Sequence, residues 1–97
     1  MAFIQTIEMR TKEYDAMKAL GDAFFDATEG KRTVRRSIVT RDRNDPDRYV
    51  LIVFFDSYDS AMENSNLPET AAFAEKQTAL LEGPPSFADL DIVEDRT

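Results

Sequence analysis

The sequence predicts an α+β fold, a four-stranded antiparallel sheet with helices on one face. Three observations lead there. Strand-like and helix-like segments follow one another in the order β-α-β-β-α-β. The middle pair of strands is joined by a turn too short for anything but an antiparallel hairpin. The third strand opens with seven consecutive apolar or aromatic residues, Tyr49 to Phe55, so it calls for cover on both faces.

Each element has its own local signal. In residues 2–10, Phe3, Gln5, Ile7 and Met9 fall on one face of a strand, and Ile4, Thr6 and Glu8 on the other. Residues 11–30 read as a helix, with Tyr14, Met17, Leu20, Phe24 and Ala27 at helical spacing. Thr11 is the expected N-cap, Glu13 and Asp15 suit the positive end of the helix dipole, and Gly30 suits a left-handed exit. A second strand is expected over 32–42, a turn over the "RNDP" at 43–46, and the third strand over 48–56.

A short helix over 57–65 follows, capped by Asp56 or Ser57, with Tyr58, Ala61, Met62 and Ser65 on one face. Pro68 opens another helix, with Glu69 in its first turn and Phe73, Gln77, Leu80 and Leu81 as its buried stripe. "GPP" at 83–85 ends it. The last strand is expected over 86–95, with Phe87, Leu90, Ile92 and Val93 as its apolar residues. The whole is the ferredoxin-like split β-α-β arrangement in one domain, residues 1–97.

One sheet face then has no helix over it. Tyr49, Leu51, Val53 and Phe55 point one way from the third strand; Val50, Ile52 and Phe54 point the other. Leaving either set in water would expose a large apolar patch. A chain of this length buries only about 60–65% of its unfolded surface. Sheet-to-sheet packing of two copies about a two-fold axis meets both needs, so a homodimer is expected.

Composition narrows the chemistry. The 97 residues contain no Cys, His or Trp. Disulfides, thiolate nucleophiles, Cys or His zinc sites and His- or Cys-ligated haem are excluded, as is the usual general base near neutral pH. The net charge of −7 disfavours nucleic acid. Residues 31–48 run against that trend, with seven basic and three acidic side chains. They fit either a solvated hairpin or a site for an anion. No run approaches the about 20 apolar residues of a membrane helix. "MAFIQTIEMR" lacks the basic start of a signal peptide, so a cytoplasmic protein without membrane partner is expected.

The third strand running into "FDSYDSAMENSNLPETAAF", the strand at the start of the chain and the closing "GPPSFADLDIV" resemble the antibiotic biosynthesis monooxygenase (ABM) family, within the dimeric α/β-barrel superfamily. The resemblance covers nearly the whole chain. It implies a pocket between sheet and helices in each subunit. In quinone-forming members it implies no metal or flavin, and a deprotonated phenolic substrate that reacts directly with dioxygen. No cofactor is therefore expected. The haem-degrading branch uses an axial His and a Trp, which this chain lacks. The tryptophan frequent in the helix-entry motif is also missing.

Within that frame, Arg35, Arg36, Tyr58 and Asn64 are the candidate catalytic residues. Arg35 and Arg36 are strand neighbours and should point to opposite faces. Either is a counter-charge for an anion, or one forms a structural ion pair while the other sits at the sheet edge. Tyr58 could hydrogen-bond a phenolic oxygen or simply pack against Met62. Asn64 could donate to a developing anion or serve as a helix-end residue. Tyr14, Met17, Phe24 and Phe73 are the candidate substrate-binding residues, or else plain core. Gln5 and Ser37 are polar residues on otherwise apolar strands and need partners. Asn66 reads as a cap. Asp56, Asp59 and Glu63 read as capping and solubility residues, and no acid/base carboxylate pair or metal site stands out. Two functions fit these residues: a cofactor-independent monooxygenase for a phenolic or polyketide-like aromatic substrate, or a non-catalytic dimeric binding or regulatory module.

Overall fold

The computed structural model describes residues 2–97. Its elements are β1 (Phe3–Arg10), α1 (Tyr14–Ala27), β2 (Arg36–Asp42), β3 (Asp45–Phe55), α2 (Tyr58–Ser65), α3 (Pro68–Thr78) and β4 (Ser86–Asp91). They form one sheet in the order β2-β3-β1-β4, with every neighbouring pair antiparallel. The apolar strand β3 is therefore central, and β2 and β4 are the edges.

Several boundaries differ from expectation for local reasons. Helix α1 begins at Tyr14, and Glu13, not Thr11, stands at its N-cap. The Thr11 hydroxyl accepts from the Glu13 N–H at 3.0 Å and donates to the Leu80 carbonyl at 2.7 Å. Thr11 thus ties the end of β1 to the turn after α3. At the other end, the buried Thr28 hydroxyl donates to the Phe24 carbonyl at 2.7 Å, and Lys31 and Arg32 fold their N–H groups back onto Thr28 O. That turn needs Gly30 at φ +81°. It consumes the residues expected to start β2, which begins at Arg36 instead of Arg32.

The hairpin is tighter than the expected "RNDP" turn. Asp42 pairs with Asp45, and the Asn44 N–H donates to Asp42 Oδ1 at 2.8 Å. The register slips beyond Arg41, which pairs with Tyr49, so residues 46–48 have no partner on β2. Pro46, which has no N–H to give, lies in this bulge. Ser57 caps α2 by accepting from the Ser60 N–H at 3.1 Å, and Pro68 takes the first turn of α3. Strand β4 stops at Asp91, short of the expected Asp95, and all its residues are exposed.

The core sits on the face bearing Tyr49, Leu51, Val53 and Phe55, in two clusters at opposite ends of the strands. Phe3, Val53 and Phe55 pack with Ala61 of α2 at one end. Met9 and Tyr49 pack with Met17 of α1 at the other. Between them, Gln5, Ile7 and Leu51 are only half-buried. On the opposite face, Val50, Ile52 and Phe54 form the centre of an apolar surface with Ile4, Ile38 and Leu90 as cross-strand neighbours.

Candidate functional site

The gap between the two core clusters is a cavity of about 670 Å³ under α1 and α3. Its volume is that of a small-molecule site. The strand registers build its floor. One row, Val39–Leu51–Ile7–Phe87, crosses all four strands. At about 4.8 Å per strand it spans about 14 Å. The next row, Ser37–Val53–Gln5–Asp89, carries polar groups. The Gln5 side chain donates to Asp89 Oδ1 at 3.2 Å.

The roof comes from helical spacing. Tyr14, Met17, Gly21 and Phe24 line it from α1, and Thr70, Phe73, Ala74 and Gln77 from α3. The first set is spaced i, i+3, i+7, i+10 and the second i, i+3, i+4, i+7, each along a single helix face. Phe24 and Phe73 meet across the helices with ring centroids 4.9 Å apart. Tyr14 stacks on Tyr49 at 5.0 Å, nearly parallel.

Cations approach the cavity from the α1–β2 connection. Arg32 donates through Nη1 to the Phe25 carbonyl at 2.6 Å, and its guanidinium lies 4.5 Å from the Phe25 ring centroid. At the rim, Lys18 pairs with Asp22 at 2.9 Å, and that hydrogen bond holds the ammonium above its ordinary pKa.

All four candidate substrate-binding residues, Tyr14, Met17, Phe24 and Phe73, line the cavity. The candidate catalytic residues do not converge. Asn64 reaches the lining and is buried, but its Oδ1 accepts the Thr33 N–H at 3.3 Å. Arg35 borders the cavity with its guanidinium turned to Asp56, at 2.9 Å from Nε and 2.5 Å from Nη2. That contact lowers the Asp56 pKa below the ordinary carboxylate range. Arg36 also borders it, yet its guanidinium stands 5.6 Å from the Phe54 ring, whose side chain belongs to the open sheet face. Tyr58 is 52% exposed and packs edge-on against Phe3 at 5.5 Å, outside the cavity lining. The physical reason is its place in the first turn of α2, which covers the Phe3 end of the sheet.

No family model and no curated protein matches the sequence. Solved structures do match the fold. Rv0793 from Mycobacterium tuberculosis superposes with a TM-score of 0.81 at 16% identity, over 100% of both chains. SnoaB, a cofactor-independent oxygenase from Streptomyces nogalater, gives 0.77 at 16% identity, over 97% of this chain and 95% of its own. A Nitrosomonas europaea protein provisionally assigned as an antibiotic biosynthesis monooxygenase gives 0.78 at 12% identity, over 95% and 90% of the two chains. The chain has the fold of the antibiotic biosynthesis monooxygenases.

Within this ABM fold, sequence reasoning did not single out Gln77, Arg32 or Tyr49 as site residues. Gln77 carried a signal, being the one polar residue on the expected buried stripe of α3. Arg32 was visible only as part of the basic segment 31–48. Tyr49 was read as strand, which it is; its place beside Tyr14 depends on how α1 crosses the sheet.

Proposed function

We propose that this chain binds a small aromatic molecule and acts as a cofactor-independent monooxygenase on a phenolic or polyketide-like aromatic substrate, as a homodimer joined through its open sheet face. The observation that carries the reading is the cavity of about 670 Å³, walled by aromatic and aliphatic side chains with a few polar groups entering it. The similarity of fold to SnoaB, a cofactor-independent oxygenase, supports the reaction class. In such a reaction the phenolic ring, once deprotonated, supplies the electrons. A ring carbon takes one atom of dioxygen as a carbonyl oxygen, and its hydrogen and the phenolic proton leave with the other atom as water. The protein's part is to hold the ring, exclude bulk water and stabilise the phenolate. Arg32, which lines the cavity, is the cation we assign to that last task.

The test is dioxygen uptake with a tricyclic hydroxyanthrone in the presence of a chelator. Expected is one dioxygen consumed per quinone formed, lost in Leu51→Trp, which fills the floor of the cavity. Uptake that needs added metal, or none above the buffer rate, overturns the oxygenase reading. For the dimer, sedimentation at micromolar concentration should give twice the 11.0 kDa chain, and Ile52→Asp should give the single chain. A wild-type monomer refutes it.

The second reading is a non-catalytic binding or regulatory module. Three of the four candidate catalytic side chains favour it: Arg35 is engaged by Asp56, Arg36 lies against Phe54, and Tyr58 stands outside the cavity. Ligand binding without dioxygen uptake would select this reading.

A further inference from the structure

Among the described residues four polar side chains are buried: Thr11, Thr28, Asn64 and Gln77. Three have partners. Thr11 bonds Leu80 O and the Glu13 N–H, Thr28 bonds Phe24 O, and Asn64 accepts the Thr33 N–H. Gln77 is 8% exposed as a residue, and among the described residues its side-chain amide makes no hydrogen bond; the amide atoms still reach solvent, the one sealed and unpaired side-chain polar atom being Glu69 Oε1. A primary amide has two donors and a two-lone-pair acceptor, and with no protein partner these are left to solvent at the cavity wall. Gln77 sits in the cavity roof one turn beyond Phe73, opposite the apolar floor row through Leu51 and Ile7. Of the other polar lining groups, Gln5 bonds Asp89, Arg32 bonds Phe25 O and Asn64 accepts from Thr33, while Ser37 and Ser65 are exposed.

We propose that Gln77 is the specificity-determining residue of the cavity, hydrogen-bonding a hydroxyl or carbonyl on an otherwise apolar, ring-bearing ligand. This rests on the small-molecule reading above. The energetic logic is that of a site with a polar group waiting: a ligand with the matching oxygen completes its bonding, and one without it leaves the amide unpaired and desolvated. Gln77 therefore discriminates between molecules of like shape. The amide can donate to a carbonyl or accept from a hydroxyl, so either oxygen type is taken.

The experiment compares two probes of matched shape, 2-naphthol and 2-methylnaphthalene, by their fluorescence on binding. In this tryptophan-free protein there is no indole emission to interfere. The readout is the ratio of the two dissociation constants, in wild type, Gln77→Met and Gln77→Glu. Expected is a loss of about three- to tenfold in hydroxyl preference in Gln77→Met, with 2-methylnaphthalene bound at least as tightly as before because it no longer strands the amide. Gln77→Glu, which keeps an acceptor, should retain the preference. Gln77→Met should also melt no lower than wild type without ligand, because it replaces an unpaired amide by an apolar side chain of similar length. An unchanged ratio in Gln77→Met, or a marked drop in its melting temperature, overturns the proposal while leaving the cavity's ligand reading intact. If neither probe binds the wild type, the small-molecule reading itself fails.

Discussion

The ring of Phe24 on α1 lies 4.9 Å from the ring of Phe73 on α3, tilted by 41°. This pair joins the two helices above a cavity that they do not fill. Phe73 is half-buried, so its truncation removes part of a ring's burial and the link between helices. Phe73→Ala should cost about 1–3 kcal/mol, below the 3–5 of a fully buried Phe. Urea unfolding followed by far-UV circular dichroism checks this, and a loss under about 0.5 kcal/mol would refute the bridging role.

Thr11 is almost fully buried and bonds in two directions, to the Glu13 N–H and to Leu80 O. Thr11→Val keeps the shape and leaves both partners unpaired. The expected loss is about 1–3 kcal/mol. Thr11→Ser, which keeps the hydroxyl, should recover most of it in the same unfolding measurement.

Arg35 and Arg36 should separate in their effects. Arg35 forms an exposed ion pair with Asp56, and such pairs contribute little. Arg35→Ala should leave stability within about 0.5 kcal/mol of wild type. Arg36 lies over Phe54 on the face assigned to the dimer contact. Arg36→Ala should weaken self-association by about threefold or more, the cation–π contribution expected at a covered site. Sedimentation of both variants across a concentration series decides; equal behaviour would remove Arg36 from the interface.

Acid should destabilise the protein through four carboxylates. Arg48 lowers the pKa of Glu8, Arg10 that of Asp45, Arg35 that of Asp56 and Lys31 that of Glu69, each chiefly by a side-chain hydrogen bond. A carboxylate with a lowered folded pKa stabilises fully above its unfolded value of about 4. That contribution disappears as pH falls from about 4 through the folded values. Melting temperature should be flat from pH 7 to about 5 and then fall. Glu8 and Asp56 are exposed and Asp45 and Glu69 half-buried, so 1 M NaCl should shrink the fall chiefly through the first two. A slope unaltered by salt and by Asp56→Asn would count against these pairs.

Local pattern carried the fold a long way. Alternation in β1 and β3, helical spacing in α1 and the Pro68 start of α3 stand in the structure as read. The misses lie where a side chain binds something far along the chain. Thr11 looked like a cap because a threonine before a helix usually is one; its partner Leu80 is 69 residues away. The early start given to β2 failed because Arg32 folds its N–H back onto Thr28 O and Thr33 bonds Ser60 and Asn64 of α2. Tyr58 and the two arginines have the right chemistry for a site. Their directions depend on α2 covering the Phe3 end of the sheet and on Arg35 meeting Asp56.

Periodicity and composition alone were enough for the α+β order, the central place of the apolar strand and the exclusion of Cys and His chemistry. These depend on neighbours a few residues apart or on what is absent from the chain. Tertiary structure decided which face of β3 the helices cover, because a period of two names the faces without saying which is inside. It also decided that the aromatic stripes of α1 and α3 roof a cavity. Whether two apolar layers close or stay apart is set by the packing at their ends, here the Phe3–Phe55 and Met9–Tyr49 clusters. Gln77 was legible as a polar residue on an apolar stripe. That it has no protein partner among the described residues could be known only once the other segments had taken their places.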